Sequence, residues 1–322
     1  MAEKKHSVLA VLEILENESD EEHILTCPQL LQKVEERTGM RLDRRTLYSN
    51  IQMLEEFGYS ISKFEDNKKG YYLTERKFER SEILLLCNAV HASHFIPNTA
   101  SRDLVDKLLS LRSRYEQQEF VRQVYLPNHQ KTENQELFLN IEMISTAIAK
   151  NCMISFTYLT HDMQKNLVPR RTEPYIVEPR YIVYEEGRGY MIATSRNHPG
   201  FIHYRLDRMK DVQHLEEKCV RLSNDQDPYE YSKNKLFMFS GDNMTARLVC
   251  DASILSHMID IFGKEVRIIP ASGNRFELCI SAPKTGILWL AQEYMDAMVI
   301  QEPESLREEF KEHMKQVLKR YE

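Results

Sequence analysis

The sequence predicts an α+β chain of several domains, and three observations carry that prediction. The N-terminal stretch shows three apolar stripes at helical spacing followed by a strand-turn-strand pattern. The middle alternates in short strands behind one leading helix, and the C-terminal third orders as βαββαβ. At 322 residues with 42% hydrophobic content the chain can bury several cores, and its length alone suggests two or three domains.

The first helix is marked by Val8, Leu9, Val11, Leu12 and Leu15. The second runs from about Cys27 to Arg37, with Thr26 as cap, Pro28 in the first turn, Leu30, Leu31 and Val34 inward and Gly39 as its end. A short connection through Met40 and Leu42 reaches Asp43, which caps a third helix ended by Gly58. Leu47, Ile51 and Leu54 form its buried stripe, while Arg45, Ser49 and Gln52 project from the opposite side. Two crossed helices with a guanidinium, a hydroxyl and an amide outward fit a helix-turn-helix that reads phosphates and base edges. Taken alone, the same helix is also an ordinary amphipathic surface helix. Downstream, residues 59–64 alternate, 65–70 supply turn chemistry and Tyr71-Tyr72-Leu73 resume a strand, which predicts a hairpin wing. The DNA-contact candidates are Arg44, Arg45, Thr46, Tyr48, Ser49 and Gln52 on the helix and Lys63, Lys68 and Lys69 on the wing.

Charge narrows that reading. The chain is net −6, and residues 1–77 hold twelve Lys and Arg against fifteen Asp and Glu, or −3, which excludes a nonspecific nucleic-acid coat. Positive charge is local instead, with Arg37, Arg41, Arg44 and Arg45 set against Asp43. Such focusing suits a site-specific binder that presents two copies, hence a homodimer.

Residues 78–130 are expected to form a helical linker and dimerisation segment. One helix spans Ser81 to Ile96 (Ile83, Leu84, Leu85, Leu86, Ala89 and Val90) and is stopped by Pro97. A second spans about Thr99 to Gln117 (Leu104, Leu108, Leu111 and Tyr115), and the polar stretch at 127–134 is the best linker nearby. Two lone helices cannot bury so much apolar surface, so a dimer partner or the following domain is expected to cover part of it.

From about Gln135 the pattern changes. A helix with Phe138, Ile141, Ile144 and Ile148 inward leads into strands at 153–159, 167–177, 180–184, 189–193 and 201–206, which predicts a small bent barrel over residues 135–215. In the last strand Ile202, Tyr204 and Leu206 make the better core face. That leaves His203 and Arg205 on a surface or pocket beside Arg170, Arg171 and Arg208. Residues 165–210 hold nine Lys and Arg against five Asp and Glu, or +4, which suits an anionic ligand or a single-stranded nucleic acid.

Several classes lack a foothold in the sequence. No h-region precedes a cleavage site and no apolar run reaches the length of a membrane span, so no membrane association is expected. The six cysteines, at 27, 87, 152, 219, 250 and 279, have no metal-ligand spacing and read as reduced thiols in a cytoplasmic protein. There is no Gly-rich phosphate loop, no His-Glu-x-x-His and no nucleophile elbow. Neither enzymatic activity, a cofactor nor a metal is expected.

Over nearly its whole length the chain resembles the WYL-domain transcriptional regulators of bacteria. The resemblance rests on residues 44–54, on Ile154-Ser155-Phe156-Thr157-Tyr158, on Glu173-Pro174-Tyr175, on Gly187 to Ala193, and most specifically on Tyr204-Arg205-Leu206-Asp207-Arg208-Met209. It implies a winged helix-turn-helix, an Sm-like SH3-type barrel carrying the Trp-Tyr-Leu signature on a strand, and a C-terminal extension. It also implies that the barrel binds a regulatory ligand, nucleic-acid fragments or nucleotides being the usual proposals. Here the signature reads Gly189-Tyr190-Met191, so only the tyrosine matches. By position, the resemblance makes Tyr158, Arg171, Tyr190, His203, Arg205 and Arg208 the pocket candidates, with Arg170 beside them. Arg205 and Arg208 are expected to contact ligand rather than to pair with Asp207 or Glu173.

A linker is expected at 216–242. Residues 243–322 then read as strand, helix, two strands, helix, strand and a terminal helix, a ferredoxin-like order. The expectation is a ligand-responsive, sequence-specific DNA-binding transcriptional regulator. Its partners would be a double-stranded operator and a nucleotide or single-stranded nucleic acid, with the helices of 81–117 coupling sensor to head. The competing class is an RNA- or single-strand-binding adaptor whose working surface is the barrel.

Overall fold

The computed structural model describes residues 2–123, 131–185, 187–220 and 241–322, apart from the side chains of 2–5, 121–123 and 199. They fall into two compact units, Met1–Gln135 and Glu136–Glu322. Half of the linker expected at 127–134, and most of that at 216–242, lies outside the described residues. Among the described residues no helix is long and apolar enough to cross a membrane.

The first unit opens with α1 (Ala2–Glu18), α2 (Cys27–Thr38) and α3 (Arg44–Glu56). Their boundaries follow from local chemistry. Thr26 and Gln29 form a capping box on α2 with Pro28 in its first turn, and Gly39 ends it at φ 69°. Asp43 caps α3 by accepting from the Thr46 N–H at 2.7 Å. At the far end of α3 the Tyr59 N–H reaches Leu54 O and the Gly58 N–H reaches Glu55 O, a paired closure that Gly58 permits at φ 95°. Val11, Ile14, Leu15, Leu30, Val34, Leu47, Ile51 and Leu54 share one core.

The hairpin after α3 is shorter than its alternation suggests. β1 (Ile61–Ser62) pairs antiparallel with β2 (Tyr72–Leu73), and a helical turn, α4 (Phe64–Asn67), takes the last residue of the first expected strand and the start of the expected turn. The Asn67 carboxamide enforces this by accepting from the Lys69 and Gly70 N–H groups while donating to Ser62 Oγ and Gly70 O. Gly70 passes so close to Leu25 that a Cβ there would sit 2.2 Å from its carbonyl oxygen.

Three helices follow where the periodicity predicts two: α5 (Arg80–Ala92), α6 (Asn98–Leu109) and α7 (Arg114–Gln123). The chain breaks because Ser113 starts α7, its hydroxyl accepting from the Glu116 N–H and donating to Asp20 Oδ2 at 2.5 Å. The first helix stops at Ala92 rather than Ile96, and the Lys131 ammonium donates to the terminal carbonyls of Val90 and Ser93 and to Ser101 Oγ. Ile83, Cys87, Val105, Leu109 and Phe120 form the core here, while Leu85 stays 69% exposed.

The second unit starts with α8 (Leu137–Lys150). Its buried residues are Leu137, Asn140, Ile144 and Ala147, and Phe138, expected inward, is exposed. The phase turns because Asn140 Nδ2 donates to the Met209 carbonyl at 2.7 Å in the interior. Strands β3 (Cys152–His161), β4 (Leu167–Pro169), β5 (Tyr175–Glu185), β6 (Arg188–Ser195), β7 (His198–Arg205) and β8 (Met209–Lys218) follow, with a 3₁₀ turn at Leu206–Arg208. The order is β4-β3-β5-β6-β7, with β8 also on β3. Two expected strands merge into β5, which runs through Pro179 at a bulge against β6. No ladder joins β7 to β8 among the described residues, so the expected barrel is not closed by hydrogen bonds.

The remainder is β9 (Asn243–Asp251), α9 (Leu255–Phe262), β10 (Arg267–Ala271), β11 (Arg275–Pro283), α10 (Lys284–Glu293), β12 (Met298–Glu302) and α11 (Glu304–Leu318). The βαββαβ order is the one read from the sequence, and the sheet runs β10-β11-β9-β12 with every pair antiparallel. Alternation along β9 and β11 sends Ala246, Leu248, Cys250, Phe276, Leu278 and Ile280 into one core with Ile287 and Leu290 of α10.

Candidate nucleic-acid and ligand-binding sites

With Leu47, Asn50, Ile51 and Leu54 turned inward, α3 presents Arg44, Arg45, Tyr48, Ser49 and Gln52 to solvent. Thr46 is half-buried, its N–H held by Asp43. The hydrogen bond to Thr46 leads in lowering the Asp43 pKa, helped by the nearby Arg45 charge, so the cap is anionic at neutral pH. Gln52 Nε2 rests on Glu56 Oε1 at 3.1 Å, a surface contact that a base edge can replace. Tyr48 leans toward Tyr71, whose phenol is pushed up to about 12 by burial and by Tyr48. The inward Asn50, absent from the apolar stripe, donates to Ser7 Oγ at 3.0 Å and pins α3 to α1.

The three wing lysines separate. Lys63 pairs with Glu55 at 2.9 Å, and the Lys68 ammonium donates to the Glu65 carbonyl at 2.7 Å. Lys69 is exposed, and its ammonium has no hydrogen bond or ion pair among the described residues. Of the three it is the most available for a phosphate.

In the second unit Phe156 and Tyr158 of β3, Tyr175 of β5 and Tyr204 of β7 form an aromatic cluster. Phe156 stacks on Tyr175 at 5.5 Å, and Tyr204 meets Phe156, Tyr158 and Tyr175 edge-on at 5.0, 5.2 and 5.6 Å. Tyr158 and Tyr204 are buried, whereas Tyr175 is half-buried and carries the Arg171 guanidinium 3.6 Å from its ring centre. Arg171 is anchored there by donating to the carbonyls of Glu173 and Pro174.

The phenols register the surrounding charge. Burial, with Tyr175 adding, pushes Tyr204 up to about 12 against the opposing charges of Arg171 and Arg170. Burial likewise raises Tyr158, opposed by the Arg205 N–H that donates to its hydroxyl and by the charges of Arg208 and Arg205. Tyr158, Arg170, Arg171 and Arg208 are thus brought around one cluster. Its other members, Phe156, Tyr175 and Tyr204, were not among the sequence candidates. Tyr175 lies within the quoted Glu173-Pro174-Tyr175 run, and Tyr204 was assigned to the core, where it does lie.

Arg205 differs from the other arginines, because its guanidinium grips Asp207 through two hydrogen bonds of 3.0 and 2.7 Å. Burial opposes its charge, but Asp207 outweighs burial and raises its pKa. Tyr190 and His203 stand apart. Register pairs Tyr190 with Arg205, Ile192 with His203 and Met191 with Tyr204, so Tyr190 and His203 project from the face opposite Tyr204. Tyr190 packs there against Val183 and Ile192 with Tyr181 and Phe201. At Gly189, where the family signature has Trp, a Cβ would lie 2.8 Å from Leu206 and 3.1 Å from the Tyr184 ring, so those side chains fill the space.

The chain is similar to known proteins over these same elements. Residues 140–214 match the WYL domain, from α8 into β8. A curated relative, the "Uncharacterized HTH-type transcriptional regulator YobV" of Bacillus subtilis (strain 168), is 24% identical over 295 residues, covering 86% of this chain and 90% of its own length. Among solved structures, proteasome accessory factor B/C (PafBC) of Arthrobacter aurescens is 15% identical with a TM-score of 0.29. The alignment covers 99% of this chain but only 49% of that one. A CRISPR Cas-related protein is 15% identical with a TM-score of 0.38, over 98% and 85% of the two chains.

Proposed function

We propose that this chain, whose residues 140–214 match the WYL domain, is a ligand-responsive, sequence-specific DNA-binding transcriptional regulator. The observation that carries this reading is α3. An acidic cap, an apolar stripe and a polar outward face of Arg44, Arg45, Tyr48, Ser49 and Gln52 make it a recognition helix behind α2, with the β1–β2 hairpin as a short wing. The relative named as an HTH-type transcriptional regulator spans both units, which supports extending that role to this chain.

In this reading residues 1–77 are a winged helix-turn-helix head, 78–130 a linker and dimerisation segment, 135–215 the sensor and 243–322 a ferredoxin-like extension. The sensor binds an anion that also offers an aromatic face, as a nucleotide or a single-stranded fragment does. Arg170, Arg171 and Arg208 meet its phosphates, and the half-buried Tyr175 gives it a ring to stack on. Dimerisation supplies the affinity that a head of net −3 lacks, and α5 offers exposed Leu85 and Leu86 for it.

Selection of duplexes from a random pool, followed by sequencing, tests the proposal. A two-fold symmetric site that is lost with Arg45→Ala is the expected result. Failure to enrich any duplex, with enrichment from a parallel pool of single-stranded or RNA sequences, would transfer the function to the surface of the second unit's sheet.

A further inference from the structure

The side of α3 opposite its core is a single narrow stripe. Leu47, Ile51 and Leu54 are buried, and spacings of three and four residues set Arg45, Ser49, Gln52 and Glu56 together on the far side, all of them exposed. Arg44 and Tyr48 lie on its flank, Tyr48 toward Tyr71. A helix seated in a major groove aims its central stripe at base edges and its flanks at the phosphate walls. Arg45 and Gln52 are thus aimed at bases, and Arg44 at a phosphate.

The two side chains ask for different bases. Among the described residues the Arg45 guanidinium has no ion pair, and the neighbouring Asp43 carboxylate is occupied in capping Thr46. A free guanidinium offers two parallel donors, and guanine, with N7 and O6, is the one base that presents two acceptors in the major groove. Gln52 is turned by Glu56, since its Nε2 donates to Glu56 Oε1 at 3.1 Å and a carboxylate can only accept. The carbonyl oxygen and the second N–H of Gln52 remain. Adenine uses one acceptor and one donor through its N6 amino group and N7, so it takes both without displacing Glu56. Gln52 lies seven residues beyond Arg45, a rise of about 10.5 Å, or about three base-pair steps. We propose that the operator half-site carries a guanine read by Arg45 and, about three base pairs away, an adenine read by Gln52, with Glu56 positioning the Gln52 amide. This rests on α3 entering the groove of a duplex, and adds which bases are selected there.

Selection from random duplexes with the full chain, repeated with Gln52→Glu and Glu56→Gln, reads the preference at every position. The parent is expected to return guanine and adenine at that separation. Gln52→Glu should exchange adenine for cytosine at the one position and keep the guanine, because a carboxylate accepts from the cytosine N4 amino group. Glu56→Gln should lower the preference for adenine by roughly tenfold without weakening overall binding, since it frees the amide to turn and removes a negative charge from the side facing DNA. In the selected duplex, 7-deazaguanine in place of the guanine should cost the parent about tenfold in affinity and cost Arg45→Ala nothing, since only the N7 acceptor is lost. All three substituted side chains are exposed, and the parent's own base pattern does not depend on the variants. An enriched site without this pair of bases, or adenine still preferred by Gln52→Glu, would overturn the assignment while leaving α3 a DNA-reading helix. An unaltered preference in Glu56→Gln would remove its positioning role. Enrichment of no duplex at all would overturn the recognition helix and the assignment together.

Discussion

Arg205 and Asp207, two residues apart at the turn between β7 and β8, hold each other through a bidentate ion pair with side chains only 20% and 6% exposed. Removing the arginine takes a paired positive charge and two hydrogen bonds away from a buried carboxylate. Arg205→Ala is therefore expected to destabilise the second unit by about 3–5 kcal/mol, and adding Asp207→Asn should recover much of the loss. Thermal melts of the single and double variants check this. A single variant as stable as the parent would show that the pair is expendable and Arg205 is available to ligand.

For the head, Arg45→Ala and Gln52→Ala are each expected to lose about 1–3 kcal/mol of specific DNA affinity without loss of fold. Lys69→Ala should weaken specific and random duplexes alike and reduce the salt slope by about one, whereas Lys68→Ala should do less because its ammonium already serves Glu65. Gel-shift titrations at two salt concentrations decide between these outcomes. Unchanged specific binding in both helix variants removes α3 from the groove.

Much of this was legible from the sequence, and what was not has particular causes. The ends of α2 and α3 follow from Thr26, Gly39, Asp43 and Gly58 because caps act within a turn of the chain. The break between α6 and α7 depends on Asp20, 93 residues before Ser113, and no local window contains both. Phe138 faces outward because Asn140 is needed at Met209, and the wing shortens because the Asn67 carboxamide ties Ser62, Lys69 and Gly70 into a turn. For the proposed sensor, charge counting located the arginines but could not tell which one an acidic neighbour had claimed. Strand alternation correctly split Tyr204 from His203 and Arg205, yet it could not show that the buried tyrosine lies against Tyr158 and Tyr175.

The contact between Asp20 and Ser113 gives the first unit an acid-sensitive clasp. Burial works to raise the Asp20 pKa, but hydrogen bonds from Ser113 and His23 outweigh it and hold the carboxyl below its ordinary 3.8. A depressed folded-state pKa means that the stabilisation is complete above the unfolded value and is lost as pH falls through the folded one. Asp20→Asn should cost on the order of 1 kcal/mol near neutrality, and the gap to the parent should close as pH falls through the depressed carboxyl pKa. Melts across pH 2 to 7 test it, and a constant gap would make the clasp a matter of shape rather than charge.

Assembly is tested through α5, where Leu85 is 69% exposed and Leu86 also reaches solvent. Light scattering is expected to show a dimer that binds half-sites spaced by whole turns of roughly 10–10.5 base pairs, and Leu85→Lys should dissociate it without unfolding the chain. A parent monomer at micromolar concentration that binds one half-site at full affinity would refute the dimer.

The prediction for the proposed sensor turns on the arginines that have no carboxylate of their own among the described residues. Arg171 is anchored to backbone carbonyls and lies over Tyr175, and the charge of Arg208 reaches Tyr158, so neither leaves a buried acid exposed when it is lost. Arg171→Ala and Arg208→Ala should each leave stability and unliganded DNA binding close to the parent while abolishing the response to ligand. A ligand shifts the DNA-binding equilibrium only through contacts that differ between the two states, and these substitutions remove such contacts without touching α3. His203→Ala should leave the response largely intact, because register places His203 on the opposite face from Tyr204. Calorimetric titration of short single-stranded oligonucleotides and cyclic nucleotides into the parent and the three variants is the measurement. Undiminished binding in both arginine variants would show that the aromatic cluster is core alone, and a loss confined to His203→Ala would move the ligand to the other face of the sheet.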